Sequence, residues 1–224
     1  TACAKPGGVT FHASEDPADL ADWGIVRVAG GKLELAEGST AYELATPLFT
    51  DHASKLRTIW MPKGETARYD GTGVLRFPVG TIISKTFYYP LDAQGRALPA
   101  AGPAALTGNA LDLAHVRLIE TRLLVRRQAG WVALPYVWNA DGTEARLKRI
   151  GGVTRVTLAP PQDAPAGTPA TEFAYVIPNA NQCGGCHVTD YGTKAMSPIG
   201  PTARSLNIPS PFAPDGTNQL ALLA

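Results

Sequence analysis

Apolar and polar positions alternate with a period of two over most of this chain, which predicts strands rather than helices. The clearest run is 81–89, Thr-Ile-Ile-Ser-Lys-Thr-Phe-Tyr-Tyr. Pleating puts Ile83, Lys85, Phe87 and Tyr89 on one side and Ile82, Ser84, Thr86 and Tyr88 on the other. Lys85 thus shares the more apolar face, where a lysine either snorkels outward or is aimed into a pocket that needs its charge. Residues 115–127 and 131–139, turned by Gln128-Ala129-Gly130, predict a long hairpin. In its first arm Ile119, Thr121, Leu123 and Val125 line one face; Leu118, Glu120, Arg122, Leu124 and Arg126 line the other.

Shorter alternating runs occupy 24–28, 32–37, 55–62, 144–150, 153–158 and 172–178. Turn chemistry separates them: Ala29-Gly30-Gly31, a hairpin tip at Tyr69-Asp70-Gly71-Thr72-Gly73, and Asn139-Ala140-Asp141-Gly142. Residues 91–112 and 159–170 are rich in Ala, Gly and Pro without a period, and predict long loops. Helical signals are few. They are a turn at 17–22, a short helix capped near Asn179, and an expected helix over 216–223. The organisation predicted is a tail or tether over 1–20 and a single β-rich domain over 21–224.

Composition agrees with this pattern and excludes some functions. With 23 Gly and 19 Pro among 224 residues, turns are frequent, which suits β architecture better than a helical bundle. A formal net charge of +1 and the lack of any basic stripe argue against a nucleic-acid partner. No stretch approaches the ~20 apolar residues of a membrane span.

The stretch Asn181-Gln182-Cys183-Gly184-Gly185-Cys186-His187 carries the chemistry. Two thiols separated by two residues and followed directly by histidine form the pattern to which haem is attached. Each thiol adds to a vinyl group and the imidazole becomes an axial ligand of the iron. Cys-x-x-Cys also serves zinc sites, redox dithiols and local disulfides. A zinc site needs two further ligands, and the remaining Cys3, His12, His52 and His115 are widely scattered. Candidates for a second axial ligand are Met196, His52 and Met61. His52 lies in a polar turn, and Met61, before Pro62, reads equally as packing at a strand end. Glu120 and Arg122 can pair with each other or with cross-strand partners, and an arginine can also clasp haem propionates.

Such haem attachment takes place outside the cytoplasm, which predicts a periplasmic or exported protein with a targeting segment before Thr1. Cys3, after small residues, reads either as the lipidated residue of a lipoprotein anchor or as a free thiol.

Several blocks in order carry a resemblance: 47–57 (Pro-Leu-Phe-Thr-Asp-His-Ala-Ser-Lys-Leu-Arg), 77–81 with Lys85, 120–126, Tyr136-Val137-Trp138-Asn139, the Cys183–His187 motif and Gly216-Thr217-Asn218-Gln219-Leu220. Together these resemble a family of exported bacterial proteins of unassigned function, found alone or joined to cytochrome c domains. More distantly, Gly-Thr-Ile-Ile-Ser-Lys in a middle strand and a C-terminal Cys-x-x-Cys-His are similar to cytochrome P-460 and cytochrome c′-beta. That likeness implies an antiparallel sheet carrying one covalent haem c, with short helices around the site and the distal side open to small ligands. In cytochrome P-460, which oxidises hydroxylamine, a strand lysine is crosslinked to the haem; Lys85 matches its position. Its distal carboxylate is replaced here by Arg122, with Glu120 two residues away.

Three functions follow as expectations. The first is a periplasmic monohaem c-type cytochrome that passes electrons to a redox partner protein. The second is a haem oxidoreductase or gas-binding protein acting on a small nitrogen species, with Lys85, Glu120 and Arg122 as candidate catalytic or ligand-orienting groups. The third is a non-catalytic subunit whose haem is structural.

Overall fold

A computed structural model describes residues 8–69, 73–190, 192–213 and 215–223. Cys3 and most of the hairpin tip expected at 69–73 lie outside them. The fold is mainly β and antiparallel, as the alternation predicts. Its strands are β1 (Val26–Ala29), β2 (Lys32–Leu35), β3 (Ser39–Tyr42), β4 (Ser54–Trp60), β5 (Ile82–Pro90), β6 (Leu106–Thr107) and β7 (Ala110–Asp112). They continue as β8 (Val116–Arg127), β9 (Gly130–Trp138), β10 (Ala145–Leu147), β11 (Gly152–Leu158), β12 (Thr171–Ile177), β13 (Val188–Asp190) and β14 (Ala195–Met196). Among the described residues two short helices, α1 (Ala180–His187) and α2 (Ala203–Leu206), and a 3-10 turn at Leu20–Trp23 accompany the strands.

A six-stranded sheet in the order β10-β9-β8-β5-β4-β3 is the frame. Three polar pairs help hold its register: Thr58 with Ser84 at 2.6 Å, Thr86 with Thr121 at 2.8 Å, and Trp138 Nε1 donating to Thr121 at 2.9 Å. Because a slip by one residue would bury the opposite set of side chains, these buried hydroxyls specify the pairing. On the same face Leu56, Ile82, Leu123, Val125 and Tyr136 join Leu33, Leu35 and Leu111 of a four-stranded sheet, β1-β2-β7-β6.

The opposite face carries two separate apolar clusters. One packs Phe87, Tyr89 and Ile119 against Val156, Tyr175 and Ile177 of the β11–β12 ribbon. The other packs Tyr42, Ile59 and Ile83 against Leu75, Phe77, Leu206 and Leu223.

Three expectations are corrected. The pleat expected for 115–127 holds from Glu120 to Val125 but inverts below it, because the β5–β8 register shifts between Phe87↔Glu120 and Tyr88↔Leu118. That bulge sends Leu118 to the first face and Ile119 to the second, which strict alternation cannot foresee. Residues 91–112 are not all loop: β6 and β7 form a tight hairpin through Gly108 and extend the smaller sheet by pairing with β2. Residues 216–223 form turns in place of the expected helix. Gln219 is buried there and its side chain bonds both the N–H (2.7 Å) and the C=O (2.9 Å) of Glu43, so tertiary hydrogen bonds override local propensity.

The N-terminal segment is bound to the sheet from Val9 onward. Val9 and Phe11 pack on the first cluster. Arg127 donates to the carbonyls of His12 and Glu15 and pairs with Asp16. Asp19 bridges Arg146, covering the β10 edge, where an unpaired strand would invite association.

The route from β12 into α1 passes a crowded point. Gly151 has φ +71°, and a Cβ there would lie 2.4 Å from the Ile177 carbonyl oxygen and 2.8 Å from the Asn179 nitrogen. Gly151→Ala is expected to lower stability by more than about 2 kcal/mol and to disturb α1, through strain and backbone clash together. Chemical denaturation and amide exchange of residues 179–187 check this; an unchanged midpoint would show that the junction is not tight.

Candidate functional site

Helix α1 contains the whole Cys-x-x-Cys-His motif, and its own residues favour a helix weakly. Gly184 and Gly185 each cost roughly 1 kcal/mol relative to alanine inside a helix. A Cβ at Gly185 would meet no atom within 4 Å, and one at Gly184 only ordinary contact with Val188. Nothing among the described residues therefore requires these glycines. The helix is held instead by its start and its packing. Asn179 accepts from the Gln182 N–H while the Gln182 side chain accepts from the Asn179 N–H, a reciprocal capping box in which both bonds measure 2.9 Å. The helix then lies against β9.

Within it Cys183 is buried, Cys186 is exposed, and both are free thiols. Burial raises the Cys183 thiol above its ordinary pKa, against the pull of the Arg122 charge. His187 follows, and its Nδ1 lies 2.8 Å from the Ser197 carbonyl. A carbonyl only accepts, so Nδ1 carries the proton and Nε2 keeps its lone pair for a hydrogen-bond donor or a metal. Burial also lowers the His187 pKa, partly offset by that hydrogen bond, which favours the neutral ring. A neutral imidazole fixed by a backbone carbonyl on its far nitrogen is the state in which histidine binds a metal.

The sheet supplies the other candidates by register. On the face that carries the two separate clusters, Arg57 pairs with Lys85 and Lys85 with Arg122, in one straight row across β4, β5 and β8. Lys55, Phe87 and Glu120 form the row on one side, and Ile59, Ile83 and Leu124 the row on the other. The cationic row thus crosses the sheet between the two apolar clusters.

Two carboxylates answer the outer cations. Glu43 accepts from Arg57 at 2.6 Å. Glu120, with no exposed surface, accepts from Arg122 Nε at 2.9 Å and Nη2 at 2.5 Å, and from the Tyr175 hydroxyl at 2.8 Å. Burial, reinforced by the Glu120 charge, holds the Tyr175 phenol far above its ordinary pKa, so it remains a donor. Lys85, in the centre, has no carboxylate or hydrogen-bond acceptor among the described residues. Its Nζ lies 5.2 Å from the Phe87 ring centroid, and the Arg122 guanidinium carbon lies 4.3 Å from the same ring. Burial and the charges of Arg122 and Arg57 lower the Lys85 pKa to about 8.

The charges of Arg122 and Lys85 are felt at both Cys183 and His187, which brings the strand residues and the motif to one place. The candidates for a second axial ligand are distributed differently. Met196 pairs with Val188 on the β13–β14 hairpin that follows His187. Met61 packs against the second apolar cluster of this face. His52 is exposed, stacks edge-on with Phe49 at 5.0 Å, and lines an open cleft of about 650 Å³ shared with Glu43, Lys55 and Arg57. Among the described residues no three His, Cys, Asp or Glu side chains converge to hold a metal ion, so a zinc site has no ligand set there.

No known protein family, characterised protein or solved structure matches this chain.

Arg57, Tyr175 and Ser197 were not singled out from the sequence. Arg57 and Tyr175 sit in alternating runs, yet only the strand register and the packing of β12 bring them to Lys85 and Glu120. Ser197 acts through its backbone carbonyl, which leaves no trace in residue type.

Two outcomes follow. Glu120→Gln removes the charge that pairs a largely buried Arg122 and is expected to cost about 3 kcal/mol by urea denaturation; a loss below 1 would mean that the pair adds little. Lys85→Met removes a charge that folding disfavours, and should raise stability by about 2 kcal/mol at pH 7 in buffer of weakly binding anions. The sign is fixed by linkage. Between the folded value of about 8 and the unfolded value near 10.5 the unfolded chain binds more protons, so the penalty is complete below pH 8 and fades as pH rises through that window. Melting curves of both proteins at pH 7 and pH 10.5 should converge; a gap that does not narrow would assign the gain to packing.

Proposed function

We propose that this chain is a monohaem c-type cytochrome of the periplasm or cell exterior that transfers electrons to a protein partner. Cys183 and Cys186 would carry the macrocycle through thioether bonds, and His187 Nε2 would bind the iron. The observation that supports this most is the His187 Nδ1–Ser197 carbonyl bond, which commits one ring nitrogen and frees the other. Glycines at 184 and 185, without a steric reason among the described residues, are consistent with a large flat group against the helix. When bound, the group supplies a one-electron couple whose potential depends on its axial ligands, nearby charge and burial.

The polypeptide's part is to hold and tune. Ser197 orients the imidazole, and the positive charges of Lys85 and Arg122 oppose any gain of positive charge at the motif. Among the described residues no helix is long and apolar enough to cross a membrane. An anchor at Cys3 is part of the same proposal, since lipidation and thioether attachment both take place outside the cytoplasm.

A second function is favoured by one feature, the group of Lys85, Arg122, Glu120 and Tyr175 on a single face. Such donors could orient a small ligand at an open iron position and move protons to it, as in the cytochrome P-460 likeness.

Export with haem-maturation machinery, followed by intact mass and visible spectra, tests both. A mass raised by one haem that resists acid extraction is expected, and is lost in Cys183→Ser/Cys186→Ser. A low-spin spectrum indifferent to carbon monoxide fits electron transfer; a high-spin iron that takes it up fits the second function. Colourless folded protein after correct export would end both proposals.

A further inference from the structure

The cationic row has an electrostatic imbalance that the thioether motif does not resolve. Neighbouring strands hold directly opposed Cβ atoms about 5 Å apart, so Arg57, Lys85 and Arg122 stand shoulder to shoulder. Three like charges at that spacing repel strongly unless each is answered. Glu43 answers Arg57, and Glu120 answers Arg122 with both of its oxygens. Neither carboxylate is bonded to Lys85. Glu120 is further held by Tyr175 across the β8–β12 contact.

Lys85 keeps some exposed surface as a residue, while its amine is largely enclosed by neighbours. The Phe87 ring makes a flat apolar wall beside it and beside the Arg122 guanidinium. At the β4 end, Arg57 and Lys55 also line the open cleft of about 650 Å³. A surplus cation with no acceptor among the described residues, between two guanidinium groups and beside an aromatic wall, matches what a small anion requires. Its oxygens take the amine protons at the centre and the flanking guanidinium edges.

We propose that Arg57, Lys85 and Arg122 form an anion site, centred on the Lys85 amine, for one small carboxylate or planar oxyanion. The site goes beyond the cytochrome function and stands without it. Its occupant has two possible sources with the same chemistry: a free oxyanion of the nitrite or acetate type, or a propionate carboxylate of a bound haem.

Isothermal titration of the full chain with sodium nitrite and with sodium acetate, at pH 7 and low chloride, tests the site in the haem-free and haem-loaded forms. One-to-one uptake with a dissociation constant of about 1 mM or tighter is expected, weakened at least about tenfold by Lys85→Met and retained within about threefold by Lys85→Arg. Among the described residues Lys85 makes no hydrogen bond or ion pair that substitution would remove, and circular dichroism is used to check that both variants fold. Uptake by the haem-free form alone identifies the occupant as a propionate; uptake by both forms identifies a free oxyanion. Uptake by neither form, or uptake that Lys85→Met leaves unchanged, overturns the site. Failure to acquire haem would end the cytochrome proposal while leaving the haem-free titration to decide this one.

Discussion

The carboxylate of Glu120, stripped of water beneath the β11–β12 ribbon, makes demands on everything around it. Removing such a charge from solvent costs several kcal/mol unless its oxygens are filled. They are filled by Arg122 from the same strand and by the Tyr175 hydroxyl from β12. The Tyr175 bond ties the ribbon to the large sheet, and the strand that carries Tyr175 runs directly into Asn179 and α1. The position of the Cys-x-x-Cys-His helix therefore depends on a buried ion pair two elements away. Gly151 enforces the same junction sterically, since only a residue without a side chain lets the turn after β10 pass under the Ile177 carbonyl.

Charge on this face is ordered by the sheet and not by the local sequence. Arg57, Lys85 and Arg122 come from three strands, and antiparallel register alone makes them neighbours. Hydroxyl pairs on the opposite face hold that register, so the polar ladder and the cationic row are two sides of one pairing. Hydrophobic packing reinforces the arrangement: the two apolar clusters flank the row and leave its charges along the boundary between them.

The motif itself was legible in seven consecutive residues, and so was the mainly β character, because both are short-range signals. Asn179 as the helix cap could be read from residue type and position, and the capping box with Gln182 bears it out. The long hairpin was equally clear from its two alternating arms. Where the sequence misled, tertiary hydrogen bonds or pairing had overridden a local preference. Residues 216–223 look helical, yet Gln219 spends its side chain on Glu43. Residues 106–112 look irregular, yet they complete a sheet whose other strands lie some 75 positions earlier. The bulge opposite Phe87 and Tyr88 moved Leu118 and Ile119 to faces that simple alternation assigns the other way.

Residue order by itself determined what chemistry is available: two thiols and an imidazole at fixed spacing, a lysine in an apolar strand, and a Glu and Arg two apart. Those are local facts, set by covalent spacing and the pleat. Only the tertiary structure decided which of these groups meet, that a backbone carbonyl occupies His187 Nδ1 and leaves Nε2 free to accept, and that Lys85 stands between two arginines without an ion-pair partner among the described residues. The reason is physical: strand register and the desolvation of Glu120 are properties of the assembled sheet, and no window of sequence contains them.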